Sequence, residues 1–173
     1  RIGTDYIHAR ELHLSRRFVA RFGGSSVPGF RLLGPKRTDR LPVFSFVIEH
    51  ERSHRLLHHD YICALLNDLF GIQTRGGCAC AGPYAQELLG MDRTLAKQFE
   101  MLLLEGSSND EALLGVLPRE RDRLGAGNEL FRPGFCRLNL HYTMDDASAD
   151  FIMDALEWVA TDGWRILPLY KCN

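Results

Sequence analysis

Val43-Phe44-Ser45-Phe46-Val47-Ile48 is the strongest β-strand signal in the chain. β-branched and aromatic side chains suit a pleated, half-buried surface, so Leu41 to Glu49 is predicted as a strand. Few other segments carry that signal. Phe30 to Leu33 reads as a short strand, turned by Gly34-Pro35, and Phe135 to Tyr142 alternates apolar and polar. Ile72-Gln73-Thr74 is a short extended run. The longer segments are helical in period. They cover residues 5–22, with Tyr6, Ile7, Leu12, Leu14, Phe18, Val19 and Phe22 apolar, then 58–70, 91–104 and 147–160. Gly23-Gly24, Gly71 and Gly163 stop three of them. Arg52 to Arg55 reads as a loop, and Trp164 to Tyr170 as an extended tail. Met144-Asp145-Asp146 leads into the last helix with an acidic first turn, which suits the helix dipole.

Few strands among several helices predict an α+β fold: one small, mostly antiparallel sheet with helices packed on one face. At 173 residues a single domain over 1–173 is expected, with a core large enough to fold without disulfides. That core should gather Phe44, Phe46, Ile48, Leu65, Leu69, Leu138, Leu140, Ile152 and Leu156. Residues 105–133 read as a polar insertion. Their charge run, Arg119-Glu120-Arg121-Asp122-Arg123, is a solvated face rather than a binding patch. A net charge of −1 gives no electrostatic case for nucleic acid or an anionic membrane. No apolar run approaches ~18–20 residues, so no membrane partner is expected. No secretory leader is visible, and five cysteines without a framework spacing point to free thiols in a reducing, cytoplasmic setting. The chain opens at Arg1 inside a helical pattern, which reads as part of a longer polypeptide. No dinucleotide or Walker glycine motif occurs.

The chemistry-bearing stretch is Arg75-Gly76-Gly77-Cys78-Ala79-Cys80-Ala81-Gly82-Pro83. A strand-ending arginine is followed by two glycines, which allow close backbone approach to a ligand. A thiol beside a guanidinium and exposed backbone N–H groups ionises more readily than usual. The plainer alternative is that Cys78 and Cys80 are small buried hydrophobes.

In this order the motifs resemble the C-terminal small domain of class V aminotransferase-type PLP enzymes, with cysteine desulfurases and selenocysteine lyases the nearest subgroup. The resemblance spans nearly the whole chain. Pro28 to Pro35 and Pro42 to Phe46 look like that domain's first two strands, and Leu57 to Ile72 like the helix before its site. Arg75 to Pro83 is similar to the desulfurase pattern Arg-x-Gly-His-His-Cys-Ala-x-Pro. The resemblance therefore implies that Cys80 forms the persulfide and that Arg75 supports the site or lowers the thiol pKa. Cys136-Arg137-Leu138-Asn139-Leu140 is similar to the strand that binds the substrate carboxylate, which would be the role of Arg137. Cys78 and Ala79 replace the family's two histidines, so Cys78 could join a persulfide relay or the chemistry could have drifted.

The resemblance implies PLP in the full-length enzyme and none in this chain. Lys36, Lys97 and Lys171 are its only lysines, and none sits in the family's cofactor-lysine pattern. The PLP-holding large domain would be the missing partner, and this chain alone should not catalyse. An amino-acid substrate, a sulfur-acceptor protein and a homodimer are the other partners implied. Two alternatives stand beside this reading: an aminotransferase or epimerase of the same superfamily, in which Cys80 is incidental, and a non-catalytic scaffold or dimerisation domain. His141 lies on the Arg137 alternation, and His58 and His59 open a helix where solvent exposure is expected. Zinc on Cys78 and Cys80 with His141 or His58 is a weaker reading, because Cys-x-Cys completes no four-ligand set. If the strands of Arg75 and Arg137 are neighbours, Cys80 and Arg137 share one side of the sheet. Cys80 should then alkylate before Cys63 or Cys136.

Overall fold

The computed structural model describes all residues except Arg1, Ser25, Thr38, 78–81, 109–131 and 172–173. It divides into two compact units, Arg1–Gly76 with Phe135–Tyr170, and Gly77–Gly134 with Lys171–Asn173. The first carries helix α1 (Thr4–Phe22), strands β1 (Phe30–Leu33), β2 (Val43–His50) and β3 (Arg55–Leu56), helix α2 (His59–Phe70), strand β4 (Cys136–Asn139), helix α5 (Asp146–Thr161) and a 3-10 helix (Gly163–Leu169). The second carries α3 (Gly82–Leu88) and α4 (Arg93–Ser108). The fold is α+β, as expected.

The sheet is antiparallel and centred on β2. β1 takes one edge of β2, pairing Phe30 with Ile48 and Leu33 with Ser45. β4 takes the other edge, pairing Val43 with Asn139 and Phe46 with Cys136. β3 closes a hairpin on the end of β2, with Glu49 opposite Leu56 and His50 opposite Arg55. Side chains alternate across the pleat. Phe30, Leu32, Phe44, Phe46, Ile48, Cys136 and Leu138 therefore share one face, and all are buried.

Helices cover that face. Phe18 of α1 stacks on Phe44 with ring centroids 3.8 Å apart, and Phe22 tilts over Phe30 at 4.4 Å. Phe30 in turn stacks on Phe46 at 4.9 Å. Leu65 and Leu66 of α2 and Ile152, Leu156 and Val159 of α5 complete the core. Of the nine expected core residues, eight are buried; Leu69 is 51% exposed. It continues the apolar stripe of α2, but it lies in the last turn of that helix, just before the Gly71 cap.

α1 and α5 run side by side in the same direction, joined by a charge ladder. Arg10 reaches Asp146 at 2.6 Å, Arg17 reaches Asp146 and Asp150, and Arg21 reaches Asp154 at 2.7 Å and Glu157 at 2.5 Å. The acidic start of α5 thus has two uses. Asp145 caps the helix by accepting the Ser148 N–H at 2.8 Å, while Asp146 faces Arg10.

Four local expectations are corrected. Strand β4 stops at Asn139 rather than Tyr142. The 164–170 tail coils into a 3-10 helix, held to Asp162 and Thr161 by the Arg165 N–H and the Trp164 indole N–H. The Arg52–Arg55 loop yields its last residue to β3. Gly82–Leu88 forms a helix that opens Gly-Pro, a sequence suited to a first turn because proline lacks only an N–H that is unbonded there anyway. In the second unit α4 runs through Ser108, into the polar stretch; residues 109–131, with the Arg119–Arg123 run, lie outside the described residues. Among the described residues no helix is long and apolar enough to cross a membrane.

Candidate functional site

Arg75 pairs directly with Arg137 of β4 as an isolated antiparallel bridge. The two exchange both backbone bonds: Arg75 N–H donates to the Arg137 carbonyl at 3.0 Å, and Arg137 N–H donates to the Arg75 carbonyl at 2.7 Å. Residues directly opposite in such a pair present their side chains to the same face. Cys136 and Leu138 point to the helices, so Arg137 and Arg75 project from the opposite face, as does Arg31 of β1. Arg75 is exposed and Arg137 half-buried. Neither forms an ion pair among the described residues. Two arginines on one face of neighbouring extended segments, without a carboxylate partner among the described residues, favour an anionic ligand, and a planar guanidinium fork suits a carboxylate.

The Gly-Cys turn leaves from this bridge. Cys80, Cys78, Ala79 and Ala81 lie outside the described residues. The extended segments of Arg75 and Arg137 are thus neighbours, and Cys80 follows Arg75 by five positions in the chain.

Beneath the bridge lies a group of side chains that sequence reasoning did not assemble. Cys63 of α2 and Cys136 of β4 face each other with sulfurs 3.9 Å apart. Cys63 is half-buried, whereas Cys136 is 0% exposed. The Cys136 thiol stabilises a Cys63 thiolate, which outweighs burial and brings the Cys63 pKa down to about 7. Sharing that proton, together with burial, pushes the Cys136 thiol far up. Cys136 also lies 3.4 Å from the His59 carbonyl, which can accept its proton. The apolar setting of Cys63 in α2 gave no sign of this acidity, which arises from Cys136 across the layer.

Gly76 closes over this group. A Cβ there would lie 2.8 Å from Asp60 Oδ1, 2.9 Å from His59 Nδ1 and 3.3 Å from Cys63 Sγ. A larger residue would require the buried His59 ring and the Asp60 carboxylate to shift. The expectation of exposed histidines is corrected here: His59 is 7% exposed and its Nδ1 lies 2.9 Å from Asp60 Oδ1, while the half-buried His58 accepts the Asp60 N–H as the cap of α2. His141 is also moved. It lies beyond the end of β4, exposed, with Nδ1 2.8 Å from the Thr143 hydroxyl, so it does not line the arginine face. Cys78 and Cys80 of the zinc reading are outside the described residues. The described group of potential metal donors is His58, His59 and Asp60. It sits at the positive end of a helix dipole, which opposes a cation.

The lysines do not fit a resident PLP. All three are exposed. Lys36 lines an open cleft of about 530 Å³ along β1, beside Glu49 and Glu51, whose carboxylates oppose a phosphate. No protein-family model matches the chain, and no curated protein matches it in sequence.

Proposed function

We propose that this chain is the C-terminal small domain of a PLP-dependent cysteine desulfurase-like enzyme. In this reading Arg137 holds the carboxylate of an amino-acid substrate and Cys80 accepts its sulfur. The observation that carries the reading is the Arg75–Arg137 bridge: two arginines without an ion pair among the described residues, on the sheet face opposite Cys136 and Leu138, at the root of the Gly-Cys turn. PLP, when bound to the large domain, would supply the electron sink for the substrate. This chain's residues do the rest. Arg137 would orient the carboxylate through a bidentate contact and Arg75 would add positive charge; the Cys80 thiolate would attack the substrate sulfur, the substrate C–S bond would break with its electron pair left on the carbon, which then takes a proton, and Cys80 would carry the persulfide. A sulfur-acceptor protein would then take that sulfur.

The test is made on the polypeptide encoded by the whole gene. It should bind PLP with the visible absorbance of a lysine-bound cofactor and release sulfide from cysteine in the presence of a reductant. Cys80→Ser should abolish sulfide release and leave PLP bound, while Arg137→Ala should raise KM and lower kcat/KM. Full activity in Cys80→Ser would move the reading to an aminotransferase or epimerase, which needs no thiol. Absence of any PLP lysine in the whole polypeptide would leave a non-catalytic scaffold.

A further inference from the structure

The Cys63–Cys136 pair belongs to no step of that chemistry. It lies on the helix side of the sheet, whereas the arginines project from the other face. Four observations set it apart from ordinary buried cysteines. The sulfurs are 3.9 Å apart and bridge two elements distant in sequence, α2 and β4. Cys63 is partly exposed and Cys136 is fully buried. The Cys136 sulfur touches that of Cys63 and the His59 carbonyl. Cys63 has its charged form stabilised by Cys136.

We propose that Cys63 and Cys136 are a peroxide-responsive thiol pair that closes to a disulfide linking α2 to β4. Cys63 is the reacting thiolate because it is the one a small oxidant can reach. Its sulfur attacks one oxygen of hydrogen peroxide; the O–O bond breaks, and the leaving hydroxide takes a proton to become water. Cys63 is then a sulfenic acid, oxidised by two electrons. Cys136, already in contact, attacks the Cys63 sulfur. The S–O bond breaks, the Cys136 proton leaves with the hydroxyl as a second water, and the S–S bond forms. Net, two thiols and one peroxide give one disulfide and two waters. The sulfurs must close by about 1.9 Å to reach a disulfide bond length, a movement within reach of side-chain rotation about χ1.

Burial of Cys136 gives the pair its direction. A resolving thiol that solvent cannot reach is protected from oxidation itself, yet it intercepts the sulfenic acid before a second oxidant arrives. Closure would tie α2 to the strand that carries Arg137. Oxidation thus acts on the strand that holds the arginine bridge, and the inference stands whether or not the proposed desulfurase reading holds.

The experiment uses the full chain with Cys78, Cys80 and Cys172 replaced by serine, so that only the pair remains. It is exposed to a modest excess of hydrogen peroxide at neutral pH, then alkylated and digested. The expected result is a cross-linked Cys63–Cys136 peptide, an intact mass lower by two hydrogens and full recovery of both thiols on reduction with dithiothreitol. With Cys136→Ala added, the cross-link is lost and Cys63 accumulates as a sulfenic acid trapped by dimedone. Should Cys136→Ala unfold, Cys63→Ala in the same background should leave Cys136 unmodified by peroxide. Two free, alkylatable thiols after peroxide treatment would overturn the proposal, as would Cys63 passing to the sulfinic acid while Cys136 remains a thiol.

Discussion

Phe44→Ala tests the layer that joins α1 to the sheet. The Phe44 ring is wholly buried and lies 3.8 Å from that of Phe18, with only 10° between their planes. A buried phenylalanine side chain withdraws roughly 150–250 Å² from water, which at about 25 cal/mol per Å² is worth ~4–6 kcal/mol at most. Partial collapse around the cavity lowers the measured cost, so the expected loss is about 3–5 kcal/mol. Phe44→Leu keeps most of the volume and should lose about 1.5 kcal/mol or less. A double-mutant cycle with Phe18→Leu should return a coupling of about 0.5–1.5 kcal/mol, the value of a stacked pair beyond its area. Guanidinium denaturation followed by far-UV circular dichroism gives each value, with m held constant as a check that the unfolded state is unchanged. Leu69→Ala is the control. That side chain is half in solvent, and its loss should stay within about 0.5 kcal/mol. A Phe44→Ala cost below about 1 kcal/mol, or one no larger than that of Leu69→Ala, would refute the packing of α1 against β2.

Three further outcomes follow from the geometry. Alkylation of Cys63 should rise as pH passes through about 7 and then level off, whereas an ordinary thiol, with a pKa of about 8.5, is still climbing; mass spectrometry of pulse-alkylated peptides reads this directly. Gly29 sits at φ 73°, with a Cβ position 2.4 Å from the Glu49 carbonyl, so Gly29→Ala should lose at least about 1–2 kcal/mol from the backbone alone, measured as a lowered Tm. Arg10 holds the Asp146 carboxyl below its ordinary range, so that pair stabilises the fold above the ordinary carboxylate pKa and ceases to do so as pH falls through the depressed one. The difference in stability between the native chain and Arg10→Ala should therefore shrink in acid, and it should also shrink in high salt.

The sheet was legible because β2 carries both signals at once: aromatic and β-branched composition, and Phe44, Phe46 and Ile48 at alternate positions. Leu69 misled because periodicity assigns a face of a helix but not how far the covering surface extends along it. β3 is too short for its composition to speak. The Gly82-Pro83 opening of α3 was readable in principle, since proline is favoured in a first turn. The Arg10, Arg17 and Arg21 stripe and the Asp146, Asp150, Asp154 and Glu157 stripe are each visible at helical spacing, but nothing local says that they meet. The Arg75–Arg137 bridge was legible in part, because each arginine lies beside an extended run and few strands were available as neighbours. Cys63 and Cys136 were not. They are 73 residues apart, in a helix and a strand that each look ordinary, and the acidity of Cys63 arises only from their contact.

The charge ladder between α1 and α5 bears on the order in which the molecule can assemble. Arg21 and Glu157 are 136 positions apart, so these contacts of α1 cannot form until α5 is in place. Contacts of such separation close late, because the intervening chain must be ordered first. Until then α1 can seat Phe18 and Phe22 on β1 and β2, while its arginines remain solvated. The parallel course of the two helices then makes α5 a clasp: each turn that docks places the next carboxylate opposite the next arginine.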